Sequence, residues 1–393
     1  MAQTFSVNGI LRAYGKEYRK NHPFQSSHER KIMASIEACR TEKLGGRIEV
    51  CEECGHTVKI FHSCRNRHCP QCQFLKKEEW ISRKKHQVFP FQYFHAVFTL
   101  PHQLIPLEMR NRRLIYDLLF QSVRNTLLSG SQEKKYFGAN IGFFAILHTW
   151  GQKLNLHPHL HCVIPGGGVV GEKWIQSPRG FLLPIPVLKK RFRSLFLVVL
   201  KKLYGTGALD VAGTPFSESG QFQDLIDSLF KENWVVYLKE SFRKPDSVIE
   251  YLGRYTHRIA VSNHRILAVE NDAVTFEWKD YACGNKKREM TIGAQEFIRR
   301  FLLHVVPPRY VRIRYYGIMA NRNHSKNRNL CRQFYQMEEE EETPVESWEA
   351  ILEKVTGQDP RICPHCHKGR LLMVAGIPSL RERSPPTMKS RAC

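Results

Sequence analysis

Three histidines alternate along one short segment of the chain, at His157, His159 and His161. On an extended strand, alternate side chains point to the same face, so these three imidazoles can converge on one point. Neutral imidazoles grouped in this way form a natural site for a divalent metal, whereas a lone buried histidine is more often structural. His157 is the weakest member, because Pro158 can interrupt the strand beside it. The spacing predicts a metal site on one strand.

Two tyrosines, Tyr251 and Tyr255, stand four residues apart within a predicted helix over 246–258. Arg254 and Arg258 flank them and are candidate contacts to DNA phosphates. Taken alone, such a pair is more often core packing than chemistry. A phenol of pKa ~10 is a poor nucleophile unless a metal or cations stabilise its attack. The tyrosines therefore become candidate nucleophiles only beside the histidine strand.

A double CxxC pattern, Cys51-x2-Cys54 followed by Cys69-x2-Cys72, predicts a tetrahedral zinc site of four thiolates. The segment between the pairs contains other candidate ligands, so the ligand set stays open: these are His56, His62, Cys64 and His68. A structural zinc would present neighbouring cations to phosphates, and the candidates are Arg65, Arg67, Lys76 and Lys77.

Cys363 and Cys366 form a weaker pair without a clear second pair, Cys331 and Cys393 being distant candidates. Either a second zinc knuckle or a remnant of one fits this pattern.

The charge of the chain is strongly positive. Sixty Lys and Arg stand against 37 Asp and Glu, a formal net charge of +23. Such a surplus favours a polyanionic partner, of which nucleic acid is the commonest. The first residues contain no apolar signal segment, and no apolar run approaches the ~20 residues of a membrane span. We expect a reduced cytoplasm and no membrane partner, and clustered cysteines there usually bind metal.

The elements that must position these residues are strands over 93–100, 141–150, 159–165 and 234–240, with helices from Pro106 to about 128 and over 294–303. The strands over 141–150 and 159–165 are close enough to form a hairpin. This mixture, without a glycine-rich phosphate loop, predicts an α+β sheet domain. We expect three domains: 1–90 binding zinc and DNA, 91–320 carrying the chemistry, and 321–393 forming a basic and acidic tail with a second zinc knuckle as an option.

The order of these motifs resembles a known family. His159-Leu-His161 is similar to the motif of HUH endonucleases, and Tyr251-Leu-Gly-Arg-Tyr255 resembles the two-tyrosine motif of IS91 insertion-sequence transposases. The run Ser63-Cys-Arg-Asn-Arg-His-Cys-Pro-Gln-Cys72 resembles that family's zinc-binding domain. The resemblance implies a central antiparallel sheet with the histidine strand in its middle, flanking helices and an N-terminal zinc ribbon.

The resemblance also implies a reaction. His159 and His161 would hold Mg²⁺ or Mn²⁺ against a phosphate of single-stranded DNA, with His157 or His257 as a third ligand. A tyrosine would attack, leaving a 5′-phosphotyrosyl link and a free 3′-OH without ATP. A second tyrosine would permit the second cleavage of rolling-circle transposition at element ends and target, on the bacterial nucleoid.

Three alternatives stay open at the level of sequence. A replication initiator or relaxase would use the same chemistry, although the fused zinc domain favours a transposase. A non-catalytic zinc-ribbon DNA-binding protein would leave the histidine strand unexplained. A metal-dependent hydrolase would use activated water and form no covalent adduct with DNA.

Overall fold

A computed structural model describes residues 5–85, 92–177, 183–241, 253, 260–281, 283–320, 329–330, 333–334, 336 and 346–380. The helices are α1 (Val7–Asn21), α2 (Ser27–Glu37), α3 (Pro70–Lys85), α4 (Ile105–Arg110), α5 (Arg112–Gln132), α6 (Ile185–Gly205), α7 (Ser219–Lys231), α8 (Ala294–Leu303) and α9 (Trp348–Thr356). The first strands are β1 (Gly46–Cys51), β2 (Thr57–Phe61), β3 (Tyr93–Thr99), β4 (Gly142–Trp150), β5 (Leu156–Pro165), β6 (Gly167–Val170) and β7 (Lys173–Gln176). The later ones are β8 (Val236–Ser241), β9 (Ile266–Glu270), β10 (Ala273–Asp280), β11 (Lys286–Gly293), β12 (Ile313–Gly317) and β13 (Leu371–Ile377).

The central sheet has five antiparallel strands in the order β12-β4-β5-β3-β8, which places the histidine strand β5 in the middle. Side chains alternate across it, and one face is apolar and packs on α5 and α6. This face includes Phe94, Phe98, Leu160, Cys162 and Ile164, all buried. The predicted α+β class with a central antiparallel sheet is confirmed.

The opposite face of the same sheet carries the histidines. A smaller apolar cluster on this face includes Phe144 and Val163, and Trp80 and Ile81 of α3 pack against it. Helix α3 thus connects the cysteine-rich N-terminal region to the histidine face.

A second core forms where α1 and α2 meet α8 and the sheet β11-β10-β9. Ser26 and Glu29 form a reciprocal capping box that starts α2. From α8, Phe297 and Phe301 are buried in the same core. The N-terminal region therefore shares its core with residues 260–305, across the boundary predicted at residue 90. The three-domain division stays a prediction.

The C-terminal region also contributes to the fold. The sequence predicts a tail after residue 320, but α9 and β13 lie within it, and β13 pairs antiparallel with β1 from Gly46↔Ile377 to Cys51↔Leu371. A tail is therefore the wrong description for residues 346–377. Local sequence could not indicate this, because the strand partner of β13 lies near the other end of the chain.

The predicted strands agree with β3, β4, β5 and β8, and the predicted helix over 294–303 with α8. The helix predicted from Pro106 is instead two helices, α4 and α5, which meet at Asn111. The side-chain amide of Asn111 donates to the carbonyls of Leu107 and Asp210, at 3.0 and 2.8 Å. Strand β5 continues through Pro158, and the facing pairing with β4 is irregular between His148 and Trp150. Among the described helices, none is both long and apolar enough to cross a membrane.

Candidate metal centre

Three histidines on two neighbouring strands bring their ring nitrogens together: His148 of β4 with His159 and His161 of β5. One ligand atom from each lies within 4.8 Å of the others. His148 stands directly opposite His159 in the strand pairing, so the two side chains share a face of the sheet. Strand geometry alone therefore brings these three rings together.

The two β5 imidazoles of the cluster, His159 and His161, are each oriented through the Nδ1 atom. His159 Nδ1 lies 2.6 Å from the carbonyl oxygen of His157, to which it can donate a hydrogen bond. His161 Nδ1 lies 2.9 Å from Nε2 of His95 on β3. The Nε2 atoms of His159 and His161 then face each other at 3.1 Å. Engaging Nδ1 in this way leaves Nε2 as the metal-facing atom, which is the usual arrangement around ligating histidines.

The protonation state also suits a metal. Burial lowers the pKa of His159 to about 3 and lowers that of His161 well below its ordinary value. Both rings are therefore neutral near pH 7, with a lone pair available. Adjacent ligands of an octahedral ion, bound at ~2.1 Å, stand about 3.0 Å apart, close to the separation of the two Nε2 atoms. Nitrogen donors suit Mn²⁺ better than Mg²⁺, which prefers oxygen.

His157, predicted as the third ligand, is outside this cluster. Its ring packs beside that of His102, with the centroids 5.7 Å apart. Its ring also lies beside that of His159, with the centroids 5.2 Å apart, and the β4–β5 pairing is irregular between His148 and Trp150. His157 contributes its backbone carbonyl instead, and His148 takes the third place. The other candidate, His257, lies outside the described residues.

His148 and His95 were both missed by the single-strand pattern. Each lies on a strand next to β5. The hairpin of β4 and β5 that the sequence predicts is enough to find His148. Pairing that hairpin in register brings His148 opposite His159.

The tyrosine segment is only partly visible. Tyr251, Arg254, Tyr255 and Arg258 lie outside the described residues. Gly253, between the two tyrosines, is buried against Ile81 of α3. A Cβ atom on Gly253 would approach Cδ1 of Ile81 to within 2.5 Å, so a side chain at this position would require Ile81 or the backbone to shift. Gly253 therefore lies directly on α3.

The cysteines form two clusters, whereas the sequence predicts one site from Cys51, Cys54, Cys69 and Cys72. The ligands of the first are Cys39, Cys64, Cys69 and Cys72. The ligands of the second are Cys51, Cys54, Cys363 and Cys366. The predicted set of four is therefore wrong as a single site. Cys39 arrives from the end of α2 and Cys363 from the strand region of β13, and spacing along the chain cannot reveal either.

The first cluster, with Cys39, Cys64, Cys69 and Cys72, is tightly packed. The sulfur of Cys72 lies 3.6 Å from those of Cys39 and Cys64. Buried Asn8 of α1 donates from Nδ2 to the carbonyl of Ile36 at 2.8 Å and to Cys69 Sγ at 3.5 Å. Helices α1 and α2 thus support this site from behind.

Of the two arginines predicted to contact DNA beside the cysteines, Arg65 is exposed. Arg67 is partly buried and donates to the carbonyl of Tyr310 at 2.7 Å, and burial lowers its pKa. It links the cysteine region to the segment before β12, so Arg67 has a structural contact, and its phosphate contact stays a prediction.

Comparison with known proteins identifies the family. Residues 10–100 match the family described as "Transposase zinc-binding domain", and residues 142–328 match one described as "Putative transposase". A Sinorhizobium fredii protein described as "Putative transposase y4qJ" is 43% identical over 376 residues, which cover 94% of each chain. The "Transposase for insertion sequence element IS801" of Pseudomonas savastanoi pv. phaseolicola is 26% identical over 303 residues, covering 72% of this chain and 68% of its own. No solved structure matches significantly. The chain belongs to the insertion-sequence transposases that carry the IS91-type zinc-binding domain.

Proposed function

We propose that this transposase cleaves and joins single-stranded DNA by HUH chemistry, through a covalent 5′-phosphotyrosyl intermediate. The observation that carries the proposal is the cluster of His148, His159 and His161, whose nitrogens converge at the centre of the sheet. A non-catalytic DNA-binding protein has no need of three converging imidazoles, two of them oriented through Nδ1.

A divalent ion fits this donor set, with Mn²⁺ favoured over Mg²⁺ by the nitrogen ligands. When bound, it would supply Lewis-acid stabilisation of negative charge on the scissile phosphate. The protein supplies the orientation. His95 fixes the ring of His161, and the carbonyl of His157 fixes the ring of His159.

Tyr251 and Tyr255 are the proposed nucleophiles. The phenolic oxygen of one forms a bond to phosphorus, the bond from phosphorus to the 3′ oxygen breaks, and that oxygen leaves with a proton as a 3′-OH. The phosphodiester energy is kept in the tyrosine link, so rejoining needs no ATP. The second tyrosine would cleave again while the first strand stays attached, as rolling-circle transposition requires. Gly253, packed on Ile81, supports the placement of both tyrosines beside α3.

The proposed partner is single-stranded DNA at element ends and target, on the bacterial nucleoid. The net charge of +23 supports a polyanion. Arg65, Arg67, Arg254 and Arg258 are the proposed phosphate contacts.

Trapping of the adduct tests the proposal. Purified protein is incubated with a labelled single strand carrying an element end and Mn²⁺, and denaturing gels and peptide mapping locate any tyrosine–DNA link. We expect a metal-dependent adduct that disappears in the Tyr251→Phe/Tyr255→Phe double variant. Tyr281→Phe serves as the matched control, because Tyr281 is exposed and lies outside the two-tyrosine motif.

Two outcomes would count against the proposal. An adduct retained in the double variant excludes these tyrosines. Metal-dependent cleavage without any adduct indicates a hydrolase that uses activated water.

A further inference from the structure

We propose that Cys51, Cys54, Cys363 and Cys366 bind a second structural zinc ion, which fastens the C-terminal strand to the N-terminal sheet. The zinc-binding family match over residues 10–100 contains only half of these ligands. The proposal is independent of the HUH chemistry.

The spacing of the sulfur atoms fits a zinc tetrahedron. Cys51 Sγ lies 3.7 Å from Cys366 Sγ, and Cys54 Sγ lies 3.8 Å from Cys363 Sγ. Four thiolates bound to zinc at ~2.3 Å stand about 3.8 Å apart in tetrahedral geometry. Both separations are far longer than the ~2.05 Å of a disulfide bond. The four sulfurs are thus positioned to share one ion, with no pair bonded.

Each cysteine pair has the backbone of a knuckle. Gly55 donates its N–H to the carbonyl of Cys51 at 3.0 Å, and His367 donates to that of Cys363 at 2.9 Å. Further amides point at sulfur: the N–H of His365 at Cys363 Sγ, 3.4 Å away, and the N–H of Gly369 at Cys366 Sγ, 3.5 Å away. Hydrogen bonds of this kind favour the thiolate form that zinc requires.

The strands around the site hold the two pairs together. β1 leads into Cys51 and pairs with β13, and Glu52 donates its N–H to the carbonyl of Arg370 at 3.1 Å. A Cβ atom on Gly369 would lie 2.6 Å from Cys51 Sγ, so only glycine permits this approach. The ring of His365 also stacks on that of His56, with centroids 5.0 Å apart. These contacts bring ligands 315 residues apart into one site.

The site would have a mechanical role. Residues 346–380 are anchored by β13 at one end, and at the other Ser82 of α3 donates to Glu346 at 2.8 Å. Helix α9 packs on α3 between these points. A zinc ion at the second cluster would therefore hold the C-terminal segment on the helix that reaches Gly253.

Metal counting tests the inference on the full-length chain, in a His159→Ala/His161→Ala background that removes the histidine site. We expect two zinc ions per chain, and one after Cys363→Ser/Cys366→Ser. Cys283→Ser, at an exposed cysteine outside both clusters, is the matched control and should keep two. In the same samples, amide exchange should become fast in β13 after the double substitution and stay slow in β4 and β5.

Replacing zinc with cobalt in the protein with all its cysteines present gives a readout that does not depend on whether a variant folds. Its thiolate charge-transfer absorption should correspond to two tetrathiolate sites per chain. Metal counting would overturn the proposal if the His159→Ala/His161→Ala protein bound one zinc ion, or if the double-serine variant still bound two. Cobalt absorption of a single site would also overturn it. So would a mass lower by about 2 Da per disulfide, which would show that the cysteines are oxidised.

Discussion

His95 packs against His161: Nε2 of His95 lies 2.9 Å from Nδ1 of His161, and the two ring planes differ by only 6°. The two residues lie on adjacent strands, 66 positions apart. Both are buried, so this hydrogen bond fixes the rotation of His161 and selects the nitrogen that faces the metal. His95 is therefore a positioning residue for the proposed centre.

His95→Ala should weaken metal binding and leave the ligands in place. We expect roughly 10- to 100-fold weaker Mn²⁺ affinity, as is typical when an outer-shell partner of a ligating histidine is removed. Adduct formation should recover when Mn²⁺ is raised, whereas His161→Ala should not recover. Titration of adduct yield against Mn²⁺ separates the two. An unchanged Mn²⁺ requirement in His95→Ala would show that this contact does not orient His161.

His148→Ala should abolish metal binding at ordinary concentrations, because it removes one of three ligands. His157→Ala is its matched control, since it keeps the backbone carbonyl that holds His159 and removes only a ring outside the cluster. Calorimetric Mn²⁺ titration of both variants measures the difference. If His157→Ala lost more Mn²⁺ affinity than His148→Ala, the third ligand would be His157 and not His148.

Gly253→Ala should lower adduct formation by ~10-fold, because the new methyl group overlaps Ile81 and the contact between residue 253 and α3 must shift. Ile81→Ala should be much milder, and Gly253→Ala/Ile81→Ala should recover most of the activity because the space has been restored. The adduct assay on this double-mutant cycle, with thermal melts as a folding check, measures the coupling. Additive losses would mean that the Gly253–Ile81 contact does not place the tyrosines.

Glu108→Gln should remove a pH dependence of stability. Burial raises the pKa of Glu108 to about 7, although the Tyr116 hydroxyl donates to it at 2.8 Å. The folded chain therefore holds this proton where the unfolded chain has released it, and stability falls as pH rises from about 4.5 to about 7. At pH 8 the variant should be more stable by about 1–3 kcal/mol.

Denaturant melts of the Glu108 variant at pH 5 and pH 8 check this expectation, with Glu17→Gln at an exposed position as control. A variant less stable than the parent at pH 8 would contradict the sign of the argument.

Local patterns in the sequence predict the fold and the site best. Strand β5, its place in the sheet and the pair His159 and His161 follow from alternation and from motif resemblance, and α8 follows from its helical periodicity. Alternation also predicts His157 as a ligand, but no nitrogen of that ring joins the cluster, and the β4–β5 pairing is irregular beside it. The third ligand instead depends on register between two strands.

The ligand set that spacing predicts for the cysteines is wrong for a similar reason. The two CxxC pairs at Cys51 and Cys69 look like one site because they are close in sequence. In the fold they are separated, since Cys39 approaches one pair from α2 and Cys363 approaches the other with β13. Ligands brought together by tertiary contacts are invisible to spacing rules.

The pairing of β1 with β13 sets an order in time. β1 is the middle strand of its sheet, with β2 on one side and β13 on the other. A ribosome completes β1 and β2 early, but β13 emerges only after the whole catalytic sheet has been made. Throughout that interval one edge of β1 has its backbone N–H and C=O groups uncovered, and such an edge can pair with another nascent chain. The three-stranded sheet of β13, β1 and β2 is thus present only on chains that have been translated at least as far as β13.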